Sequence, residues 1–470
     1  MFRYPYTNFH EMNLDWIIRK LMSGEFSDCE FVKPEEFPDS FNPVQDALDA
    51  AVNENKIVLL TSEYMIRETL QPADGTKILG LFGAKLISVA QDGTVGFAPT
   101  TLINCPSDFM IYNVILDGNR PDGESQSTYP SAPGNETETV LMAPLVSVYN
   151  ADQVTFHNCH WINYDSNRST SLGSYRYAAL GCYSSTNVHV INCSFQNILR
   201  ECIVFQSCQW AEVDGCQFDT GDEAGIYSEI GILQSNHTAI KNCRIVHGAT
   251  ITSSVINAMG DHIEVCGCNI TAPASTYGID YGNEIETGFT ADDLYIHDNT
   301  LNCRISGHTS AQDNLIASHD HVVIQDNTFL LEGLSGSGII FIYNYNGEHM
   351  IIQGNKFLGG STSNTRAISF DAGYSAKVDV LDNYFGIRAF WIRGTCKELS
   401  VRNNHFVGTM FYQDRVGAEA EELPIVGCRT DTTLGSAVEN NNISLVFIGC
   451  DLYSRGITNT TIDTTLSHIR

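Results

Sequence analysis

A short phrase of alternating apolar and polar residues recurs along most of the chain. It is clearest as VHVINCSF, residues 188–195, where an apolar strand is followed by a small polar pair and an aromatic residue. Related phrases end at Trp161, Phe218, Ile245, Ile270, Leu301, Phe329, Phe357, Phe385 and Phe406. Such alternation is typical of a β-strand with one buried side. The recurrence therefore predicts a repeated β-strand unit.

The spacing of the phrase indicates a solenoid. Its marker residue, the Cys or Asn after the small polar residue, recurs at positions 193, 216, 243, 268, 299, 327, 355, 383, 404, 428 and 450. Repeats of about 20 to 50 residues are typical of leucine-rich horseshoes, β-propellers and parallel β-helices. The sequence lacks the Leu-x-Leu frame of the first and the Gly-His and Trp-Asp signatures of the second. Unequal intervals of 21 to 31 residues favour the parallel β-helix, because its loops vary in length.

A second apolar phrase precedes the marker strand in most coils, as in CIVFQ from Cys202 and GIDYG from Gly278. Each coil therefore carries at least two strands. A coil this short buries its apolar side only by stacking on its neighbours at about 4.8 Å. We predict an all-β solenoid of roughly a dozen coils with short N-terminal helices.

The marker residues suit the interior of such a stack. An Asn column can hydrogen-bond amide to amide along the axis, and a Cys column packs as a small buried apolar group. Of the 15 cysteines, Cys266 and Cys268 alternate across one strand and point to opposite sides, which excludes a metal shared between them. No Cys-x-x-Cys pair occurs. We predict reduced thiols, no metal site, and folding in a cytoplasm.

The charge balance limits the classes of binding partner that we expect. With 26 Lys and Arg against 55 Asp and Glu, the formal net charge is −29, which excludes nucleic acid and an anionic membrane surface as expected partners. No stretch is apolar for eighteen residues, so no membrane insertion is expected. The N-terminus lacks the basic and apolar regions of a signal peptide.

Residues 1–22 predict a short amphipathic helix, with Leu14, Ile17, Ile18 and Leu21 on one side. The simplest role is to cap the solenoid. The run YPYTNFHEMNLDW, residues 4–16, also resembles the N-terminal phrase of tail and appendage proteins of phages and prophages of Gram-positive gut bacteria. That resemblance implies a virion-attachment segment. Its docking residues would be Phe9, Leu14, Trp16, Ile17, Ile18 and Leu21.

Residues 37–66 resemble the opening of the pectate-lyase-like superfamily. A helix over residues 37–51, with Pro43 near its start, precedes strands at 56–60 and 63–66. The matching positions are Asp39, Gln45, Ala47, Leu48 and Ala51. The usual Gly-Asp run is missing, and Thr61-Ser62 replaces the Pro-x-Gly turn. This resemblance implies a right-handed parallel β-helix behind a capping helix.

Together the two resemblances imply a phage tailspike or appendage protein. The expected organisation is an attachment helix and linker at 1–36, a capping helix and first strands at 37–75, the β-helix at 76–430, and a last coil and cap at 431–470. Loops at 119–139 and 165–177 project from the coils as ligand or subunit contacts. The resemblance further implies a homotrimer located in the virion, docked to a tail or collar protein through residues 1–22.

A glycosidase on this scaffold requires two carboxylates beside the scissile bond. Alternation places four isoleucines inward, namely Ile203, Ile226, Ile279 and Ile368. The residues expected at the surface are then Tyr227, Glu229, Asp280, Ser369 and Asp371. The acidic residues expected at the strand starts are Glu201, Asp222 and Glu223. Counted from the markers, Glu201 and Glu223 fall on neighbouring coils, about 5 Å apart as in a retaining pair. Glu229 and Asp280, two coils apart, approach the inverting separation. Among so many acidic residues, a solvated charge column or a Ca²⁺ ligand set is the simpler alternative.

Two functional hypotheses follow. In the first, the chain binds and cleaves a host surface polysaccharide, with Glu201, Glu223, Glu229 and Asp280 as catalytic candidates. Sugar-stacking candidates are Tyr175, Tyr177, Tyr227 and Trp210. A lyase would instead use a cation such as Arg388, Arg393 or Arg402 near Trp391. In the second, the chain is a non-catalytic receptor-binding or structural appendage. No cofactor is expected for either, with Ca²⁺ left open, and a secreted pectinolytic enzyme is disfavoured.

Overall fold

A computed structural model describes residues 31–54, 56–89, 101–119, 144–164, 178–198, 201–219, 230–247, 254–272, 277–281, 292–307, 319–330, 339–343, 347–359, 366–371, 374–392, 396–407, 411–413, 422–430, 438–439, 444–452, 462–463 and 468–469. The helix predicted within residues 1–22 lies outside these described residues. So do the loop predicted at 165–177 and, apart from residue 119, the loop predicted at 119–139.

Short parallel strands make up most of the described chain. They are β1 (Phe31–Val32), β2 (Ile57–Leu60), β3 (Glu63–Ile66), β4 (Lys77–Gly80), β5 (Lys85–Ser88), β6 (Ile103–Cys105), β7 (Met110–Tyr112), β8 (Ile115–Asp117), β9 (Val146–Tyr149), β10 (Asp152–His157), β11 (His160–Tyr164), β12 (Ala178–Tyr183), β13 (Thr186–Ile191), β14 (Ser194–Ile198), β15 (Glu201–Gln206), β16 (Gln209–Asp214), β17 (Gln217–Asp219), β18 (Ile230–Lys241), β19 (Arg244–Val246), β20 (Ser254–Cys266), β21 (Asn269–Thr271), β22 (Tyr277–Tyr281), β23 (Asp293–His297), β24 (Thr300–Asn302), β25 (Arg304–Gly307), β26 (His321–Gln325), β27 (Thr328–Leu330), β28 (Ile340–Tyr343), β29 (His349–Gln353), β30 (Lys356–Leu358), β31 (Arg366–Asp371), β32 (Tyr374–Leu381), β33 (Tyr384–Phe385), β34 (Arg388–Ile392), β35 (Cys396–Arg402), β36 (His405–Phe406), β37 (Phe411–Gln413), β38 (Glu422–Val426), β39 (Arg429–Thr430), β40 (Val438–Glu439), β41 (Ser444–Ile448), β42 (Asp451–Leu452), β43 (Ile462–Asp463) and β44 (His468–Ile469).

The strands stack into three faces of a parallel β-helix, which confirms the predicted fold class. Face 1 contains β1, β2, β4, β7, β10, β13, β16, β18, β20, β23, β26, β29, β32, β35, β38, β41 and β43; face 2 contains β6, β9, β12, β15, β18, β20, β22, β25, β28, β31, β34, β37 and β40; face 3 contains the other sixteen strands. A coil runs from face 2 through face 1 to face 3, as in β12, β13 and β14. Sixteen strands on face 3 exceed the dozen coils predicted, because the coils that contain β3, β5, β8 and β44 lack the marker phrase.

The turn from face 1 to face 3 explains the small polar residue of the phrase. At this residue the backbone is left-handed, with φ of 52° at Asn192 and 56° at Asp298. Its occupants are Asn158, Asn192, Gly215, Asn242, Gly267, Asp298, Asp326, Gly354, Asp382, Asn403, Gly427 and Gly449. Asn, Asp and Gly tolerate this conformation at least cost. The turn therefore has the same geometry in coil after coil, while loop length varies elsewhere.

The next residue forms a buried ladder, as predicted. Cysteines occupy it at 159, 193, 216, 243 and 268, asparagines at 299, 327, 355, 383 and 404, and cysteines again at 428 and 450. Asn299 donates through Nδ2 to Oδ1 of Asn327 at 2.9 Å, and Asn327 donates to Asn355 at 3.0 Å. Each of these amides also donates to a backbone carbonyl, for example that of Ile296 from Asn327. The buried amides are therefore satisfied within the stack.

The cysteine part of the ladder is held more weakly. The backbone N–H of Cys193 donates to Sγ of Cys216 at 3.4 Å, and the Cys193 thiol donates to the carbonyl of Ile191 at 3.3 Å. The thirteen cysteines for which bonding is described are all free thiols. Cys266 and Cys268 point to opposite sides, as predicted, with only Cys268 buried.

The aromatic residue that ends the phrase forms a second interior stack. Trp161 lies on Phe195 with ring centroids 4.7 Å apart, and Phe195 lies on Phe218 at 4.9 Å. Phe329 and Phe357 repeat the arrangement at 4.8 Å, with planes 2° apart. Stacked rings of this kind add to the free energy gained by burying their apolar area. The ladder and the ring stack together fix the interior next to face 3.

One helix, α1 (Pro43–Glu54), packs against β1 and β2 at the start of the stack. Its buried residues are Val44, Ala47, Leu48 and Ala51. The helix begins at Pro43 rather than at residue 37 as predicted, because Oδ1 of Asn42 caps it by accepting the N–H of Gln45 at 3.3 Å. Before it, Pro34–Glu36 form a short 3₁₀ turn. The strands predicted after the helix are present as β2 and β3.

Replacing Asn355 by Ala is expected to destabilise the stack. The amide accepts from Asn327 and donates to Asn383 and to the carbonyl of Ile324, so its loss leaves buried partners unsatisfied. We expect the free energy of unfolding to fall by about 2–4 kcal/mol. Urea-induced unfolding measures it, with Gln353→Ala as the control, because the amide of Gln353 makes an exposed contact. Equal urea midpoints for both variants would contradict the ladder's role.

Candidate functional site

The outward side of face 1 carries a band of polar and ionisable side chains, here called the face 1 band. Along strands such as β13 and β23, inward residues are buried and outward residues are partly exposed. Among the histidines in the described part of the chain, seven lie on the band, namely His157, His189, His237, His262, His297, His321 and His349. Because neighbouring strands are in parallel register, outward residues form rows along the axis, about 4.8 Å apart.

A chain of alternating charges, here called the charged row, runs between two neighbouring register rows of the band. It contains His189, Glu212, Lys241, Glu264, His297 and Asp298. Nζ of Lys241 lies 3.1 Å from Oε1 of Glu212 and 4.0 Å from Oε2 of Glu264. Nε2 of His297 lies 3.1 Å from Oε1 of Glu264. Glu212 and Glu264 therefore each have a cationic partner on an adjacent strand, whereas Asp298 pairs with His297, the residue before it.

These contacts keep the carboxylates of the row ionised. The hydrogen bond with His189 and the charge of Lys241 lower the pKa of Glu212 to about 2, although burial acts in the opposite direction. The hydrogen bond with His297 likewise lowers the pKa of Glu264. Hydrogen bonds to Cys266, Glu264 and Asp298 raise the pKa of His297 to about 10. Neither glutamate holds the proton that a general acid must donate, so the row is suited to binding.

Three rings stack beside this row. The centroids of Trp210 and His237 are 3.9 Å apart, and those of His237 and His262 are 4.6 Å apart with planes 3° from parallel. All three residues have left-handed backbone conformations, with φ between 49° and 57°. Trp210, predicted to bind substrate, is thus half-buried on the face 1 band with one ring face against His237.

A column of carboxyl groups, here called the acidic column, lies at the start of the face 1 strands. It contains Asp261, Asp292, Asp320 and Glu348. Oδ1 of Asp261 accepts the backbone N–H of Asp292 at 2.7 Å, and the carbonyl of Asp320 accepts the N–H of Glu348 at 2.8 Å. The four residues therefore occupy successive rungs, about 5 Å apart. This backbone spacing is close to the carboxyl separation of about 5–5.5 Å in retaining glycosidases.

The acidic column differs electrostatically from the charged row. Burial and the charges of Glu348 and Asp292 raise the pKa of Asp320, and His321 only partly offsets them. His321 lies 3.7 Å from Oε2 of Glu348. Beneath the column, His319 is fully buried with its Nε2 2.7 Å from the carbonyl of Gly260, and burial lowers its pKa to about 4. The pKa of Asp320 is thus shifted in the direction opposite to that of Glu212 and Glu264.

The predicted catalytic residues Glu201 and Asp280 lie elsewhere, on face 2. Their exposed fractions are 4% and 6%, so the prediction that Asp280 is at the surface is wrong, as is that for the fully buried Ser369. The outward side of face 2 is itself buried at these positions. β18 and β20 separate β15 from β22, so Glu201 and Asp280 are three rungs, or about 14 Å, apart and form no pair. Asp280 instead has Asn257 and Ser306 as neighbours.

Several other predicted residues lie outside the described residues: Glu223 and Glu229 among the catalytic candidates; Tyr175, Tyr177 and Tyr227 among the sugar-stacking candidates; and Phe9, Leu14, Trp16, Ile17, Ile18 and Leu21 of the attachment segment. They stay predictions. The arginines considered for a lyase do not form one cluster, because Arg388 lies on face 2 and Arg402 on face 1. Arg393 is outside the described residues.

The residues of the acidic column were not among the predicted site residues, although the sequence contains a pattern that identifies them. Asp261, Asp292, Asp320 and Glu348 each lie seven residues before the marker of their coil. No loop interrupts that interval, so a count back from the marker keeps the same register in every coil. The count that led to Glu201 and Glu223 ran forward across loops of variable length.

No helix in the described part of the chain is long and apolar enough to cross a membrane. No protein-family model matches the sequence. The curated proteins likewise include no match to it.

Solved structures do resemble the fold. A tailspike protein mutant of E. coli bacteriophage HK620, in complex with a pentasaccharide, superposes with a TM-score of 0.50 at 10% sequence identity, covering 95% of this chain and 79% of that chain. The surface adhesin PfbA of Streptococcus pneumoniae has a TM-score of 0.38 at 12% identity, covering 93% of both chains. At these identities the likeness concerns the fold alone. The chain has the parallel β-helix fold that is also found in the HK620 tailspike.

Proposed function

We propose that this chain is a tail spike or appendage protein of a phage virion that binds host cell-surface polysaccharide along the face 1 band. The observation that carries the proposal is the parallel register of that band, which repeats donors, acceptors and rings on successive strands. A polysaccharide is itself a repeating chain of hydroxyl groups and ring surfaces, so an extended periodic band matches it. The HK620 tailspike, whose structure contains a pentasaccharide, supports this use of the fold.

The charges of the band favour a neutral polysaccharide. The net charge of −29 and the acidic column repel a polyanion. The paired charges of Glu212, Lys241 and Glu264 offer oriented donors and acceptors without a net positive field. Carboxylates held ionised in this way accept hydrogen bonds from sugar hydroxyls.

Attachment to the virion and assembly as a homotrimer are part of the proposal and rest on the sequence resemblances. Residues 1–22 would dock on a tail or collar protein through the apolar side of their helix. Deleting these residues should leave a folded protein that no longer joins virions, as measured by sedimentation of reconstituted particles. A truncated protein that fails to fold would support a capping role instead.

A second candidate function is hydrolysis of the bound glycan at the acidic column. The raised pKa of Asp320, next to Glu348 and Asp292 on adjacent rungs, favours it. Asp320 would protonate the leaving oxygen, and an ionised neighbour would act as nucleophile or base. If no cleavage occurs, the chain is a non-catalytic receptor-binding protein. Neither function requires a cofactor. Binding of Ca²⁺ by the acidic column is a further proposal, and calorimetric titration with Ca²⁺ tests it.

Replacing Trp210 by Ala is expected to weaken glycan binding. Neutral and anionic surface polysaccharides of Gram-positive gut bacteria serve as probes in a binding titration. We expect a neutral polysaccharide to bind, with an affinity about 3- to 10-fold lower for Trp210→Ala because the ring stack is lost. The control is Tyr149→Ala, an exposed aromatic on face 2. Preferential binding of polyanions, or equal losses in both variants, would overturn the assignment to the face 1 band.

Hydrolysis predicts new reducing ends from whichever polysaccharide binds. Asp320→Asn should reduce their release by at least about a hundredfold, the scale of general acid catalysis. Because Asp320 must be protonated, the wild-type rate should fall as the pH rises through its raised pKa. The control is Asp382→Asn, at an exposed turn where Asn fits the left-handed backbone. Binding without any product would exclude hydrolysis and leave the binding proposal intact.

A further inference from the structure

A mixed cluster of metal-binding side chains lies within the face 1 band and has no part in the proposed hydrolysis. Glu264 and Cys266 are two residues apart on β20, so both side chains project outward. In the parallel register, Cys266 pairs with His297 of β23. One ligand atom from each of the three residues lies within 4.8 Å of the other two. The cluster is therefore built by two adjacent rungs of the stack.

Cys266 differs from the other described cysteines. Among the thirteen for which burial is described, it alone is not buried. The ladder cysteines are committed to carbonyl oxygens inside the stack, as Cys268 is to that of Cys266 at 3.4 Å. The Cys266 thiol instead faces the side of the sheet that carries a carboxylate and an imidazole. It is accessible to an ion arriving from solvent.

The His297 ring is oriented for coordination, and a bound metal would displace the proton on its Nε2. Nδ1 of His297 lies 2.8 Å from Oδ2 of Asp298, and Nε2 points to Oε1 of Glu264 at 3.1 Å. A carboxylate on one ring nitrogen and a metal on the other is the usual arrangement around a metal-bound histidine. The other oxygen of Glu264 lies 4.0 Å from Nζ of Lys241, whose nearer partner is Glu212 at 3.1 Å.

The donor set identifies the class of ion. We propose that Glu264, Cys266 and His297 bind Zn²⁺. Thiolate and imidazole donors select a borderline-soft transition metal, whereas Ca²⁺ and Mg²⁺ require mostly oxygen ligands. Zn–S and Zn–N bonds of about 2.3 and 2.0 Å place tetrahedral ligand atoms about 3.3–3.7 Å apart, within reach of small side-chain rotations here. Three protein ligands leave a fourth position, on the exposed side, for water or a sugar hydroxyl.

The site shares Glu264 and His297 with the charged row, and it is tested with metal ions alone, without a glycan. The full chain, freed of metal with a chelator, is titrated with Zn²⁺ and, separately, with Co²⁺ as a spectroscopic probe. We expect a single bound Zn²⁺ per chain and a thiolate-to-cobalt charge-transfer band. Cys266→Ser should abolish the band and lower the Zn²⁺ affinity at least about tenfold. A band that persists in Cys266→Ser would place the metal on another thiol and overturn the proposal.

Two further variants separate coordination from general charge effects. Asp298→Asn should keep the cobalt band while weakening affinity about 10- to 100-fold, because it loosens the orientation of His297. His189→Gln is the matched control: His189 pairs with Glu212 on the same band at 3.3 Å, with no cysteine two residues away. It should bind Zn²⁺ like the wild type. Equal losses in His189→Gln and Cys266→Ser, or no cobalt band in the wild type, would show that the three side chains form only a metal-free ion-pair cluster.

Discussion

The structure depends on one constraint: the parallel hydrogen bonding of the strands places each strand residue beside its counterpart in the next coil. Inside the stack, this constraint brings equivalent side chains of successive coils into contact. A residue type is therefore tolerated only if it can pack against, or hydrogen-bond to, the same residue type in the next coil. Asn does so through its amide, as Asn327 does between Asn299 and Asn355. Cys does so as a small apolar group with a weak donor. At the junction of the two ladders, the N–H of Cys268 donates to Oδ1 of Asn299 at 2.9 Å, so the change of residue type leaves no gap.

On the outside the same constraint brings charges together, and the outcome depends on the neighbour. Glu212 has His189 and Lys241 on adjacent strands, and its pKa falls to about 2. Asp320 has Glu348 and Asp292 on adjacent rungs, and its pKa rises. Two carboxyl groups on one face are therefore suited to different tasks. The charged row offers fixed hydrogen-bonding partners, and the acidic column has the raised carboxyl pKa that the proposed cleavage requires.

Most of the fold follows from the sequence because the repeat is local. Strand alternation and the marker identify the inward residues, and the interior at Cys193, Phe195, Ile203 and Asn327 matches that prediction. The candidate functional site follows less directly from the sequence. Alternation distinguishes inward from outward residues, but it does not show whether other parts of the protein cover the outward side. Asp280 was therefore expected at the surface, although it is buried on face 2. The forward count to Glu223 ends outside the described residues, whereas register counted within an unbroken strand leads to the acidic column.

The central claim is that the face 1 band is the glycan-binding surface. The most direct test is a crystal structure of the full chain with an oligosaccharide prepared from a polysaccharide that it binds. We predict sugar density along face 1 between Trp210 and Glu348, with contacts to the charged row. Well-ordered sugar bound on face 2 or face 3, with face 1 empty, would contradict it.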